Sequence, residues 1–311
     1  MNGKRLQNNY RDFLSDFQSW SQKSHAKEWL IFPENIGKHL SIDETSLSHG
    51  ELYTILTNKS AKGRKGCIVA IISGTKSEEI IKVLEKIPLQ KRRKVTEITL
   101  DMAGNMELIA KRSFPKAVLV TDRFHVQQLA TEALQEIRIK HRWEAIDAEN
   151  EAIEKAKSSK KNFNPIILPN GDTVKQLLAR SRYALYKKKK DWKPTQQERA
   201  ELLFELYPDI EKAYELSQKL SWIFENSKDK LHGTTRLALW HEKVRQAGFK
   251  SFNTISRTIE NHYQTILNYF DNRSTNASAE SFNAKVKAFR SQFRGVKNIE
   301  FFLFRLTNIY A

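Results

Sequence analysis

Three short apolar segments fall so close together that no helix fits between them. They are Leu40–Leu47, Leu52–Thr57 and Cys67–Ser73, and this spacing constrains the fold more than any other feature of the chain. Ser48-His49-Gly50 reads as a tight turn between the first two. A basic, glycine-containing loop, Asn58–Gly66, joins the second to the third. Connections this short make the three strands antiparallel neighbours. The unbroken apolar run of the third suits a central strand buried on both faces. After Ser77 the period changes to that of a helix, reaching about Ile87. A fourth strand, Val95–Leu100, ends at Asp101; a short helix follows over about Asn105–Arg112. A fifth strand, Ala117–Thr121, ends at Asp122, and a helix starts at Arg123. A doubly wound sheet would need helices between the first three strands as well. The order predicts an α/β, ribonuclease-H-like domain: a mixed five-stranded sheet with three antiparallel strands and then two parallel ones.

The rest of the 311 residues is read around this sheet. Residues 1–40 form a short helical lead-in, with Tyr10, Phe13, Leu14 and Phe17 at helical spacing. Residues 41–126 are the first part of the core. Residues 127–270 show no convincing strand and read as a large all-helical insertion; they hold Trp143, Trp192, Trp222 and Trp240. Residues 271–311 return to the core as two helices, the first reaching about Phe293 with Gly295 as its stop.

Charge and cysteine narrow the function. Fifty-three Lys and Arg against 36 Asp and Glu leave a formal net charge of +17, which points to a polyanion, with nucleic acid ahead of a membrane surface. The single cysteine, Cys67, excludes an intramolecular disulfide and a cysteine-rich zinc ribbon. The longest apolar run, Cys67–Ile72, is far short of the ~20 residues that span a bilayer. The polar N-terminus carries no signal peptide pattern. A cytoplasmic, nucleoid-associated protein is the expectation.

Three sets of residues could carry chemistry. The first is Asp43, Asp101 and Glu280. Asp is depleted in strands, so Asp43 within Ser41-Ile42-Asp43-Glu44-Thr45 needs a reason. In a ribonuclease-H-like sheet the first and fourth strands are adjacent, which would bring Asp43 and Asp101 together. Two such carboxylates repel unless a cation lies between them, and hard oxygen donors select Mg2+ or Mn2+. The plainer reading of each is an ordinary strand-end acid. On the helix carrying Glu280, Phe282, Val286, Phe289 and Phe293 form an apolar stripe. Asn276, Glu280, Asn283, Lys287, Arg290 and Arg294 form a polar one. That polar face suits a metal-binding carboxylate beside a phosphate backbone.

The second set is Asp122 and His125 in Thr121-Asp122-Arg123-Phe124-His125. Asp122 could simply cap the helix, or it could replace Asp101 as the second acid. The third set is basic: Lys59, Lys62, Arg64 and Lys65 in the hairpin loop; Lys91–Lys94; Arg180, Arg182 and Lys187–Lys190; and Lys285–Lys297. Each alone is more often a solvated face. Tyr183, Tyr186 and Trp192 interleave with the Lys187 and Lys188 cluster, which favours nucleic acid, because aromatic rings can stack on bases.

These residues together resemble the DDE transposases of bacterial insertion sequences, within them the ISL-three group and its ISAon-one-like subgroup. The resemblance runs from about Ser41 to Ala311. It rests on Ser41-Ile42-Asp43-Glu44, Leu100-Asp101-Met102-Ala103, Thr121–His125, and Asn276–Lys285 followed by Arg290, Gly295 and Arg305. It implies that Asp43, Asp101 and Glu280 are the catalytic, metal-holding acids and that Asp122 and His125 support the site. It also implies metal-dependent DNA strand cleavage and strand transfer using two Mg2+ (or Mn2+) ions. Double-stranded DNA is the implied partner, at transposon ends and at the target, and synapsis of two ends implies a homodimer. Family members commonly carry an N-terminal zinc-binding and helix-turn-helix region. Residues 1–40 lack cysteine and are too short for both, so a separate small DNA-binding helper protein, or a truncated copy, is the expectation. A resolvase-like nuclease that cuts without joining, or a domesticated non-catalytic DNA-binding protein, would share most of these features.

Overall fold

The structure is a computed structural model that describes residues 3–48, 51–292, 296 and 298–311. His49, Gly50, Phe293, Arg294, Gly295 and Lys297 lie outside the described residues, and with them the tip of the expected hairpin turn and the expected helix stop. The chain divides into two compact units. One runs up to Asp122 and resumes at Gln264–Ala311; the other is Arg123–Tyr263.

The first unit begins with α1 (Gly3–Asn9), which widens into a π-type turn over Tyr10–Leu14. Then come β1 (Trp29–Ile31), β2 (His39–Ser48), β3 (Glu51–Asn58), β4 (Ile68–Ser73), α2 (Ser77–Leu84), α3 (Leu89–Arg92), β5 (Glu97–Leu100), α4 (Gly104–Ser113) and β6 (Val118–Thr121). Among the described residues the sheet order is β1-β4-β3-β2-β5-β6. β2 is antiparallel to β3, and β3 to β4; β5 and β6 then add in parallel beside β2.

The sheet therefore has six strands where the sequence predicts five. The addition is β1, antiparallel to β4 with Leu30 opposite Ile71, inside the segment expected to be helical lead-in. Three residues are too few to display a period of two, whereas the aromatic spacing upstream of them reads as helical. Within that spacing Phe13 is exposed, and Phe17 is buried against Phe301 and Phe304.

The second unit is helical. Its elements are α5 (Arg123–Ser158), α6 (Val174–Arg180), α7 (Arg182–Leu185), α8 (Pro194–Leu206), α9 (Pro208–Asn226), α10 (Lys230–Ala247) and α11 (Lys250–Asn261). At about 1.5 Å per residue, the 36 residues of α5 make it the longest strut of the unit. Local chemistry sets the helix ends. Thr173 and Gln176 form a reciprocal capping box at α6. Asp229 accepts from the His232 amide at 2.9 Å at the start of α10, and Gly248, at φ 74°, ends it. Val126, Ala130 and Leu134 of α5 are buried, as are Leu216, Leu220 and Ile223 of α9 and Leu237 and Trp240 of α10. The Trp240 indole donates to the Leu216 carbonyl at 2.9 Å.

His241, on α10, gives this unit a pH dependence. Its Nδ1 is 2.5 Å from Ser256 Oγ and its buried Nε2 has no hydrogen-bond partner. Burial lowers its pKa below the ordinary histidine value, and Glu260, at 3.6 Å, opposes that only in part. With a folded pKa below the unfolded one, stability is full above about pH 6.5 and falls as pH drops toward the folded pKa. His241→Gln should therefore flatten the loss of melting temperature between about pH 7.5 and pH 5. An unchanged pH profile in the variant would refute the assignment.

The chain then returns to the first unit through α12 (Tyr263–Leu267), α13 (Tyr269–Asn272), α14 (Ala277–Gln292) and α15 (Ile299–Tyr310). Thr265 hydrogen-bonds Thr121 at 2.7 Å, and the Asn268 side chain donates to the Leu119 carbonyl at 2.8 Å, so the returning chain covers β6. On one side of the sheet Leu40, Ile42, Ile98 and Leu100 pack with Ile80 and Leu84 of α2 and Ile109 of α4. On the other side Ile55, Ile68 and Ile71 pack with Phe282, Val286 and Phe289 of α14 and Phe302 and Leu306 of α15. Among the described residues no helix is long and apolar enough to cross a membrane.

Candidate active site

Alternation along β2 decides which side Asp43 takes. Leu40 and Ile42 belong to the core on the α2 and α4 side. Asp43 is opposite Ile55, which belongs to the core on the α14 side. Side chains paired across strands share a face, so Ser41 and Asp43 are directed toward α14. The hydrogen bonds agree. The Ser41 hydroxyl bonds the Asn276 carboxamide oxygen, and the Asn283 carboxamide donates to Asp43 Oδ2 at 2.7 Å. The Glu44 amide donates to Asp43 Oδ1 at 2.8 Å, so both carboxylate oxygens are oriented.

Asp101 follows from the parallel register. His39, Leu40 and Ser41 lie opposite Glu97, Ile98 and Thr99. β5 ends at Leu100, so Asp101 directly follows it, while β2 continues through Asp43. Asp101 Oδ1 accepts from the Ala103 amide at 2.9 Å, which shapes the turn into α4. Asp122 is at the corresponding end of β6, where its amide donates to the Leu100 carbonyl at 2.9 Å, and it is 1% exposed. Asp101 and Asp122 thus follow the ends of β5 and β6, while Asp43 lies within β2, the strand beside β5.

Glu280 is exposed in the first turn of α14, three residues before Asn283. The polar stripe on this helix divides in two. Asn276, Asn283 and Arg290 dock along β2, the last donating to the Ser46 carbonyl at 3.4 Å. Glu280 and Lys287 are exposed beside that seam. Arg294 lies outside the described residues. Among the described residues no group of three or more His, Cys, Asp or Glu side chains stands close enough to hold a metal ion. The donors at the strand ends are all carboxylate oxygens, the donor type that a hard divalent cation takes.

Lys62, Arg64 and Lys65 are exposed on the loop between β3 and β4. Lys285 of α14 donates to the Gly63 carbonyl at 2.8 Å and ties this loop to the helix that carries Glu280. Lys59, from the same basic cluster in the sequence, is not at the surface. Its side chain is 14% exposed, and its ammonium turns inward to Glu97 at 3.3 Å, to Thr99 at 2.7 Å and to Ser274. Burial lowers its pKa, while Glu97 and, to a lesser extent, Asp122 hold its charge. This buried network lies on the same side of β5 as the acids, and sequence reasoning missed it. Its one advance signal was Glu97, an acid inside a strand.

The remaining expected site residues lie in the helical unit. His125 is in the first turn of α5. Lys187 donates to Gln196 at 3.2 Å, and Lys188 pairs with Glu225 at 2.6 Å. Trp192 is half-buried: its indole donates to the Ala184 carbonyl at 2.8 Å and packs near Tyr214 and Phe204. Of the other tryptophans, Trp240 is buried, Trp143 is exposed, and Trp222 is partly exposed with Lys219 and Arg236 over its ring.

One prediction arises directly from the Asn283–Asp43 contact. A side chain that only orients a functional carboxylate is worth about 10–100-fold in activity. Asn283→Ala should slow a reaction that uses the Asp43 carboxylate by about that factor and leave the melting temperature near wild type. Full activity in the variant would remove Asn283 from the site.

Residues 40–306 match the family model for ISL3-type DDE transposases, described as "Transposase". Curated relatives include the "Transposase for insertion sequence element IS1557" of two Mycobacterium tuberculosis strains, CDC 1551 / Oshkosh and ATCC 25618 / H37Rv. Each is 22% identical over 250 residues, which is 80% of this chain and 55% of the relative. The chain thus spans about half the length of these relatives. No solved structure matches it. The chain belongs to the ISL3 family of DDE transposases.

Proposed function

We propose that this chain carries out the chemical steps of DNA transposition on a ribonuclease-H-like core, cutting a DNA strand at the end of an insertion sequence and joining the freed 3′ end to target DNA. The observation that supports this reading is Asp43 within β2, Asp101 directly after its parallel neighbour β5, and Asn283, from the helix of Glu280, bonded to Asp43. In this reading Asp43, Asp101 and Glu280 hold two divalent cations, Mg2+ or Mn2+. Those cations, when bound, supply an activated nucleophile and charge stabilisation at the leaving oxygen. The chain's own residues do the rest. Asn283 and the Glu44 amide fix the Asp43 carboxylate before substrate arrives. The exposed Lys62, Arg64, Lys65 and Lys287 neutralise the DNA backbone near the acids. Asp122 closes the strand end beside Asp101, and the Lys59–Glu97 network keeps the side of the sheet beneath them rigid.

The test is nicking of supercoiled plasmid by the purified chain with Mn2+ or Mg2+, against the same reaction with EDTA. Cation-dependent nicking supports the reading, and nicking that persists in EDTA contradicts it. Cleavage without joining would favour a nuclease instead.

A further inference from the structure

Arg138, on α5, is buried at 4% exposure, yet no carboxylate is paired with it. Two of its donors are committed inside the helical unit. Nε donates to Gln135 Oε1 at 2.6 Å, and Nη1 donates to the Leu178 carbonyl, in the last turn of α6, at 2.6 Å. The other terminal nitrogen, Nη2, has no partner among the described residues. Arg142, one turn further along α5, and Arg182, at the start of α7, act against its charge, and Tyr186 opposes them more weakly. Gln135 ties the two elements by donating to the Arg182 carbonyl at 3.5 Å. Arg142 and Arg182 are exposed, and neither forms an ion pair among the described residues.

This arrangement is costly in an empty protein. Burying a cation without a counter-charge opposes folding, and like charges beside it add to that. The carbonyl at the α6 C-terminus offsets only part, because a short helix end carries a fraction of a charge. Burial and the two neighbouring arginines push the Arg138 pKa down to about 10, so it remains cationic at neutral pH. The nearby lysine run is different: Lys188 pairs with Glu225 and Lys189 with Glu211 at 3.5 Å. The conspicuous basic run of the sequence is therefore partly neutralised, and the unbalanced charge is at the arginines.

We propose that Arg138, Arg142 and Arg182 form a binding site for a DNA backbone phosphate on the helical unit. Three guanidinium groups, one of them locked in orientation by Gln135 and Leu178, match the planar, multi-donor recognition that phosphate oxygens favour. The exposed Tyr183 and Tyr186 border the site, with the Arg182 guanidinium 5.6 Å from the Tyr183 ring. The site rests on the transposase reading and adds to it a DNA contact outside the sheet unit.

The experiment is fluorescence anisotropy of the full chain with two unrelated duplexes across a salt series. Arg142→Gln/Arg182→Gln is compared with Lys160→Gln/Lys161→Gln, which removes the same charge from two other exposed positions. Each lost phosphate contact should reduce the slope of log K against log salt by about 0.9. The arginine variant should lose about 10-fold or more in affinity at ~0.1 M salt, equally on both duplexes, with a flatter slope. The lysine variant should keep the wild-type slope. Equal losses in the two variants, or a wild-type slope in the arginine variant, would overturn the site alone. A wild-type chain without salt-dependent binding would overturn the DNA reading as well.

Discussion

Asp43→Asn should reduce cation-dependent strand cleavage by about 10³-fold or more while the protein folds normally. Losing a group that stabilises transition-state charge falls at this scale. The change is nearly isosteric and Asp43 is only half-buried, so little packing is lost. Asp101→Asn should behave alike, because Asp101 directly follows β5, the parallel neighbour of the strand that carries Asp43. Asp122→Asn should retain measurable cleavage, reduced about 10–100-fold, as suits a supporting residue. The measurement is the initial rate of plasmid nicking for the three variants, with circular dichroism to check folding. If Asp122→Asn were dead and Asp101→Asn active, the second acid would be Asp122.

The second large effect concerns stability. Lys59→Met should destabilise the chain by about 3–5 kcal/mol, because it leaves Glu97 buried without its cation. Glu97 is 6% exposed, and its remaining partners, Ser274 and Asn272, are neutral. Removing both charges, as in Lys59→Met/Glu97→Leu, should recover most of that loss, since a buried pair adds little net stability over an apolar pair. Urea denaturation of the single and double variants measures it. A single variant as stable as wild type would show that the network does not hold the sheet.

The sheet was legible where its strands are long or strictly patterned. β2, β3 and β4 announce themselves by apolar runs and short connections, and β5 and β6 by the acids that end them. β1 was not legible, since three residues show no period and its place beside β4 is set by tertiary pairing of Leu30 with Ile71. The polar face of α14 was visible as a stripe, but its division into docked Asn276, Asn283 and Arg290 and exposed Glu280 and Lys287 depends on where β2 passes. Lys59 shows the limit of reading charge runs. Its neighbours Lys62, Arg64 and Lys65 are solvated, while the chain turns through Asn58 and sends Lys59 to Glu97, 38 residues away. The same limit hid Arg138: Arg142 follows it one turn on along α5, but Arg182 joins them only when α7 folds onto α5.

The central claim is joining as well as cutting. The most direct measurement is strand transfer of a labelled duplex with a recessed 3′-OH, carrying the element's terminal sequence, into a supercoiled target plasmid in the presence of Mn2+. The expected result is labelled plasmid with the wild-type chain and none with Asp43→Asn. Equal joining by Asp43→Asn, or a wild-type chain that nicks the plasmid and never links the label to it, would contradict the account.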